Sequence, residues 1–355
     1  MKILYGVQGT GNGHISRANA MAEAFRAHPE LDITWLLSGR DKEQGCGNIE
    51  PFEWRRGLTF VTGDGGIRKF DTFMQNSLRL FWQDVKSLDL SPYDLIISDY
   101  EPVICYAALR KGIPVTGISH LYAFNYPVPM RGGNPITQMI LRRFAPATLN
   151  IGLHWHHFDA PILPPILDIH KPAQLPPMIR NKVVVYLPWE NPERVLAFLA
   201  PHKNHDFYIY HPAFQNGDEG NIHKRAISRT GFKNDLLDAW GVVANCGFEL
   251  ISECLYLGKR VLTKPLSGQM EQYSNAAALE QLGYADTMTA LDTNRLREWL
   301  GSDQQAIQIA YPDVAKELAL WIAKGRMESI EDLARKMWNN TVIYGQDVRS
   351  RHAYA

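Results

Sequence analysis

Two glycine-punctuated turns, each set between an apolar run and a helical pattern, constrain this chain more than any other feature. The first is Gly9-Thr10-Gly11-Asn12-Gly13-His14, and the second is Asn245-Cys246-Gly247, followed by helical spacing that includes Glu253. Lys2 to Val7 and Gly241 to Ala244 precede them as short apolar runs of the kind that form buried parallel strands. Two such units predict two nucleotide-binding α/β halves facing one cleft. At each turn the start of the helix presents unpaired backbone N–H groups, where anionic or polar ligands settle.

A chain of 355 residues exceeds what one core usually supports, so two domains of roughly 150 to 180 residues are expected. In the first half, the runs Ile3 to Val7, Ile33 to Leu37, Leu58 to Val61, Leu95 to Ser98 and Val115 to Ile118 alternate with helical stretches at Ser16 to Ala27 and Pro102 to Lys111. That alternation predicts a parallel sheet covered by helices. A longer amphipathic helix is expected from Asp71 to Leu88, with Asp71 as its N-cap. Pro161, Pro164, Pro165, Pro172, Pro176 and Pro177 mark an interdomain linker. The expected organisation is a Rossmann-like domain over 1–168, a linker over 169–180, a second Rossmann-like domain over 181–340 and a tail over 341–355.

Lys plus Arg equals Asp plus Glu, at 37 each, which removes the broad basic footprint of a nucleic-acid binder. Cys46, Cys105, Cys246 and Cys254 show neither disulfide-framework nor zinc spacing and fit buried thiols in a reducing compartment. With no secretion signal and no run of about 18 apolar residues, a cytoplasmic protein is expected. Ile136 to Phe144, which mixes Met139, Ile140, Leu141 and Phe144 with Arg142 and Arg143, leaves room for peripheral contact with the inner face of a membrane.

Gly9, Gly11 and Gly13 suit a loop that turns sharply and lets its backbone approach a ligand, with His14 at the start of the next helix. His14 is either a general base or a capping residue. Asp99 ends the run Asp94-Leu95-Ile96-Ile97-Ser98, at the same sheet edge as the glycine loop, where it either orients His14 or caps the helix near Pro102. In the second half, the N–H groups of Gly247 and Phe248 suit phosphate; Glu253 either binds ribose hydroxyls or is an exposed helical glutamate, and Gln269, Glu271 and Gln272 either bind sugar hydroxyls or solvate a helix start.

Ala244-Asn245-Cys246-Gly247-Phe248-Glu249 to Glu253, followed by Pro265 and Glu271-Gln272-Tyr273-Ser274-Asn275-Ala276, resembles the donor signature of GT-B glycosyltransferases, with UDP-glycosyltransferases and MurG-like enzymes the nearest branches. The Gly9 to His14 loop resembles their acceptor-side loop, and Ser98-Asp99 the segment bearing the aspartate of their dyad. The resemblance implies His14 as catalytic base, Asp99 as its partner, Glu253 on the ribose, Gly247 and neighbouring amides on the diphosphate, Gln272 on the donor sugar, and Phe232, ahead of a helix from Lys233 to Trp240, beside the base. Asn245 stands where UDP-glycosyltransferases carry a histidine. Leu187-Pro188-Trp189 lacks their glycine-serine loop.

The expected activity is inverting transfer of a sugar from a nucleoside diphosphate sugar, UDP-linked by resemblance, to the hydroxyl of a small-molecule or lipid-linked acceptor. No Asp-x-Asp motif stands at a strand end, so no essential metal is expected, and no cofactor beyond the nucleotide-sugar substrate. The competing expectations are a nucleotide-sugar epimerase, a catalytically silent nucleotide-sugar binding protein and, through Arg40, an NADP oxidoreductase.

Overall fold

The computed structural model describes residues 1–42, 46–59, 62–67, 77–169, 172 and 174–345. The amino-terminal sheet contains β1 (Lys2–Gln8), β2 (Asp32–Ser38), β3 (Phe52–Trp54), β6 (Leu95–Asp99), β7 (Val115–Ser119) and β8 (Leu149–Gly152), in the order β3-β2-β1-β6-β7-β8 and parallel throughout. A separate hairpin, β4 (Thr62–Gly63) and β5 (Gly66–Ile67), lies outside it. The carboxyl-terminal sheet contains β9 (Ile179–Tyr186), β10 (Asp206–Tyr210), β11 (Gly217–Glu219), β12 (Ile222–Arg225), β13 (Ala239–Asn245), β14 (Arg260–Lys264) and β15 (Asp286–Thr287), in the order β11-β12-β10-β9-β13-β14-β15. All its pairs are parallel except β11 with β12. This is the GT-B fold, two Rossmann-like α/β domains.

Among the described residues the α-helices are α1 (Gly13–Phe25), α2 (Leu78–Ser87), α3 (Pro102–Lys111), α4 (Pro135–Phe144), α5 (Pro192–Leu199), α6 (Arg229–Asp238), α7 (Phe248–Leu257), α8 (Met270–Leu282), α9 (Thr293–Gly301), α10 (Val314–Ala323) and α11 (Ile330–Asn339). The order in which successive strands are added reverses between β1 and β6 in one sheet and between β9 and β13 in the other, the switch points where ligands enter such sheets. His14 and Gly247 lie in the segments that follow β1 and β13, and Asp99 is the last residue of β6.

Three expectations shift. The strand expected at Leu58 to Val61 is replaced by Phe52–Trp54, because Gly57 turns the chain at a φ of 60° and the Leu58 carbonyl accepts from the Gln8 side chain rather than from a strand. Residues 60 and 61 lie outside the described residues. The long helix begins only at Leu78, capped by Ser77 Oγ on the Leu80 amide at 3.3 Å. Asp71 and Phe73 also lie outside the described residues. The helix near Phe232 starts at Arg229 under a Ser228 cap, so Phe232 sits within it.

Helices α10 and α11 return to the amino-terminal half. α10 packs on α1, the Arg326 guanidinium donates to Thr116 Oγ1 at 3.1 Å, and Trp338 Nε1 donates to the Ile162 carbonyl at 2.7 Å. Val342–Tyr344 pairs antiparallel with Gln308–Ala310 (β17 with β16), while 346–355 lie outside the described residues. Between β13 and α9, a Cβ on Gly241 would stand 2.6 Å from Trp299 Cη2. Trp299 is 1% exposed, so Gly241→Ala should destabilise the protein by about 1–3 kcal/mol in urea unfolding.

Candidate active site

β1 and β6 pair with Val7 opposite Asp99, so the glycine loop and Asp99 leave the sheet together. Glu101, and not Asp99, caps α3: its carboxylate accepts from the Val103 and Ile104 amides at 2.8 and 2.7 Å and from Ser38 Oγ at 2.5 Å. Burial pushes the Glu101 carboxyl up to about 7 against these bonds. With the helix capped elsewhere, Asp99 is available to His14, and Asp99 Oδ1 lies 2.8 Å from His14 Nδ1.

Arg17, which the sequence reading passed over, completes the group. Its Nε donates to Asp99 Oδ2 at 3.0 Å, and its Nη2 donates to Asp99 Oδ1 at 2.7 Å and Ser119 Oγ at 3.1 Å. Those two bonds use both Nη2 protons, so the 2.7 Å approach of Nη2 to His14 Nδ1 holds no proton from arginine. Nδ1–H therefore donates to Asp99, and in the neutral imidazole Nε2 carries the lone pair. Burial by itself raises the Asp99 carboxyl, but the charges of Arg17 and His14 and their hydrogen bonds outweigh it and hold it below the ordinary aspartate range.

Helix α7 follows an N-cap at Gly247 that has no side-chain cap, and among the described residues nothing stands within 4 Å of where a Gly247 Cβ would be. Gln272 Oε1 accepts from the Cys246 and Leu266 amides at 3.1 and 2.9 Å, tying the loops after β13 and β14 together. Asn245 donates to Glu190 Oε1 and to the Lys264 carbonyl, both at 3.2 Å, and Lys264 Nζ donates to Glu190 Oε1 at 2.6 Å. Asn245 Oδ1 and Gln269 Oε1 are buried acceptors with no hydrogen-bond partner among the described residues. The Phe232 ring meets Tyr186 and Tyr210 at centroid distances of 5.3 and 5.2 Å.

The lobes meet at this site. Phe248 stacks on His120 at 3.9 Å, His120 Nε2 lies 2.8 Å from Asn275 Oδ1, and Asn12 donates to the Tyr186 hydroxyl at 3.5 Å. The β4–β5 hairpin reaches the loops after β9 and β14, with the Gly65 amide on the Trp189 carbonyl at 2.6 Å and the Ser267 amide on the Gly65 carbonyl at 2.7 Å. Across the cleft, burial raises the Glu271 carboxyl while the charges of His14 and Arg17 oppose it. In the first loop, Gly9 is pinned by its amide to the Ser38 carbonyl at 2.6 Å, Thr10 Oγ1 accepts from Gln8 Nε2 at 2.9 Å, and Gly11 adopts a φ of 83° with no described residue within 4 Å of its Cβ position.

Glu253 is 6% exposed. Burial pushes its carboxyl up to about 8; Lys233 and Arg229 pull it down and Asp168 pushes it further up. An exposed glutamate titrates near about 4.3, so the folded protein holds a proton that the unfolded chain releases, and stability falls as pH rises through that window. Glu253→Gln should raise the Tm of the ligand-free protein more at about pH 8 than at about pH 5. An equal change at both would contradict a buried, proton-retaining carboxyl.

A sequence model of glycosyl transferase family 1 fits residues 1–302. The chain belongs to this family. The glycosyltransferase matches no curated protein. Its fold is shared with the glycosyltransferase SnogD from Streptomyces nogalater, 14% identical over 96% of this chain and 99% of that one, with a TM-score of 0.55. Acinetobacter baumannii MurG is 14% identical over 95% and 99%, with a TM-score of 0.53. SsfS6 from Streptomyces sp. SF2575, a glycosyltransferase solved with thymidine diphosphate, is 12% identical over 96% and 99%, with a TM-score of 0.55.

Proposed function

We propose that this glycosyltransferase moves a sugar from a nucleoside diphosphate sugar to an acceptor hydroxyl, with inversion at the anomeric carbon. The observation that carries the proposal is the His14–Asp99 pair at 2.8 Å, which commits Nδ1 and leaves Nε2 free to accept a proton. Nε2 takes the hydroxyl proton as the acceptor oxygen bonds to the anomeric carbon. The bond from that carbon to the diphosphate breaks, and its electron pair leaves with the nucleoside diphosphate. Asp99 stabilises the imidazolium, and amides at the start of α7 stabilise the leaving phosphate.

Glu253, carrying a proton near neutral pH, both donates to and accepts from ribose hydroxyls, while Phe232, Tyr186 and Tyr210 offer an aromatic wall to the base. Asn245 and Gln269 accept from donor hydroxyls, as does Glu271. Gln272 has only its amide nitrogen left for the sugar, because its oxygen is engaged by two backbone amides. The thymidine diphosphate held by SsfS6 supports a nucleotide donor. A thermal-shift series of UDP- and TDP-sugars tests the donor: a ligand at about 100 Kd should add roughly 2.7 kcal/mol. Transfer assays with the stabilising donor should release nucleoside diphosphate and give product of opposite anomeric configuration. Retained configuration, or a changed sugar without transfer, would contradict the proposal.

The acceptor is proposed to be lipid-linked and met at a membrane surface. Leu78, Leu80 and Trp82 on α2 and Ile136, Met139 and Ile140 on α4 are exposed, with Arg79, Lys86, Arg142 and Arg143 exposed among them. Tyr106 links the two helices, its ring 5.7 Å from Trp82 and its hydroxyl donating to the Arg143 carbonyl at 2.7 Å. Apolar side chains ringed by arginine and lysine suit an anionic bilayer. Among the described residues no helix is long and apolar enough to cross one. The protein should co-sediment with vesicles containing phosphatidylglycerol at low salt and be released at high salt, and no sedimentation at low salt would overturn this part.

A further inference from the structure

The charge around the dyad is built from both lobes. Arg17 is 2% exposed and Asp99 fully buried. The two alone form a neutral unit, from which an imidazolium gains little. The second ion-pair partner of Arg17 is Glu249, whose carboxylate meets Nη1 from the first turn of α7, in the other lobe. Asp99, Arg17 and Glu249 together carry a net charge of one negative unit. Glu249 also lies over Gly13, where any Cβ would collide with its carboxylate, so this approach depends on glycine at the position before His14.

We propose that Arg17 and Glu249 set the strength of the His14 base across the lobe interface, so that His14 becomes a competent base when α7 is docked against α1. This rests on the reading of His14 as the base. Glu249 draws the guanidinium charge away from Asp99, which then acts on the imidazole as a less neutralised carboxylate. Withdrawing Glu249 leaves Arg17 to compensate Asp99 and to repel the imidazolium. The other groups facing His14 are Glu271 from α8, whose carboxyl senses His14, and His120, which follows β7 and which burial pushes down to about 4, leaving it neutral. Ser119, bonded to Arg17, carries no charge. Arg17 and Glu249 are positioning residues, acting through Asp99 and His14 rather than on substrate.

The test is the single-turnover transfer rate against pH, with donor and acceptor saturating, for the wild type, Glu249→Gln and Gly13→Ala. Glu249→Gln removes the charge; Gly13→Ala keeps it and displaces it. Both should move the acid limb to lower pH by about one unit, since a less compensated Arg17 disfavours the protonated imidazole. The plateau rate should fall roughly three- to tenfold with the weaker base. Melting curves and donor KM run beside these separate a charge effect from a loosened interface. An acid limb unmoved in both variants, with rates falling only through Tm or KM, would overturn the proposal. If His14→Ala keeps wild-type transfer, the reading of His14 itself fails. If His14→Ala abolishes transfer while Glu249→Gln keeps the wild-type limb, only the coupling fails.

Discussion

His14→Ala should slow sugar transfer by roughly 10²- to 10⁴-fold, the range typical of losing a positioned general base. In the proposed mechanism Nε2 meets the acceptor while the other lobe grips the donor, so the effect should fall on the chemical step and donor KM should change little. The variant should also fold. The His14 side chain is 14% exposed and caps nothing at the start of α1, so alanine should change stability by no more than about 1 kcal/mol. Single-turnover rates and melting curves measured together separate the two. Partial rescue by added imidazole, which would enter the space beside Asp99, is expected. A His14→Ala enzyme with undiminished transfer at saturating donor would remove the proposed base.

Asp99→Asn should be the most damaging isosteric substitution in the site, reducing both stability and rate. In the wild type Asp99 accepts three hydrogen bonds, from His14 Nδ1, Arg17 Nη2 and Arg17 Nε. An asparagine supplies one oxygen and one NH2, so in either orientation a donor faces a donor. Arg17 then loses a buried counter-charge, and breaking a buried pair from one side costs about 3–5 kcal/mol. The imidazole also loses the carboxylate that fixes its tautomer, which should lower the transfer rate by about 10²- to 10³-fold in the protein that remains folded. Urea unfolding and single-turnover assays below the Tm of the variant check both; wild-type stability would show that Asp99 does not carry the buried charge assigned to it.

The sheet edges and the two glycine turns were legible because they are local. A buried strand reads as a run of apolar residues, and the residue just past it lands at the carboxyl edge whatever the rest of the chain does, which brings His14 and Asp99 together. What escaped was contact across sequence. Arg17 lies one helical turn from His14, a spacing that puts both on one face of α1, and that signal was available. Nothing near Arg17 in sequence reveals that its other partner is Glu249, in the opposite lobe. The Lys264–Glu190 pair escaped for the same reason, Lys264 ending β14 and Glu190 lying in the loop after β9. The third strand was misplaced because Leu58 reads as strand from its side chain, while the turn at Gly57 ends the extended backbone first.

The account stands most directly on where a nucleotide binds. A crystal structure of the protein soaked with UDP or TDP should place the diphosphate on the amides of Gly247 and Phe248, the ribose on Glu253 and the terminal phosphate directed toward His14 Nε2. A nucleotide seated away from α7, or one whose terminal phosphate points away from His14, would contradict it.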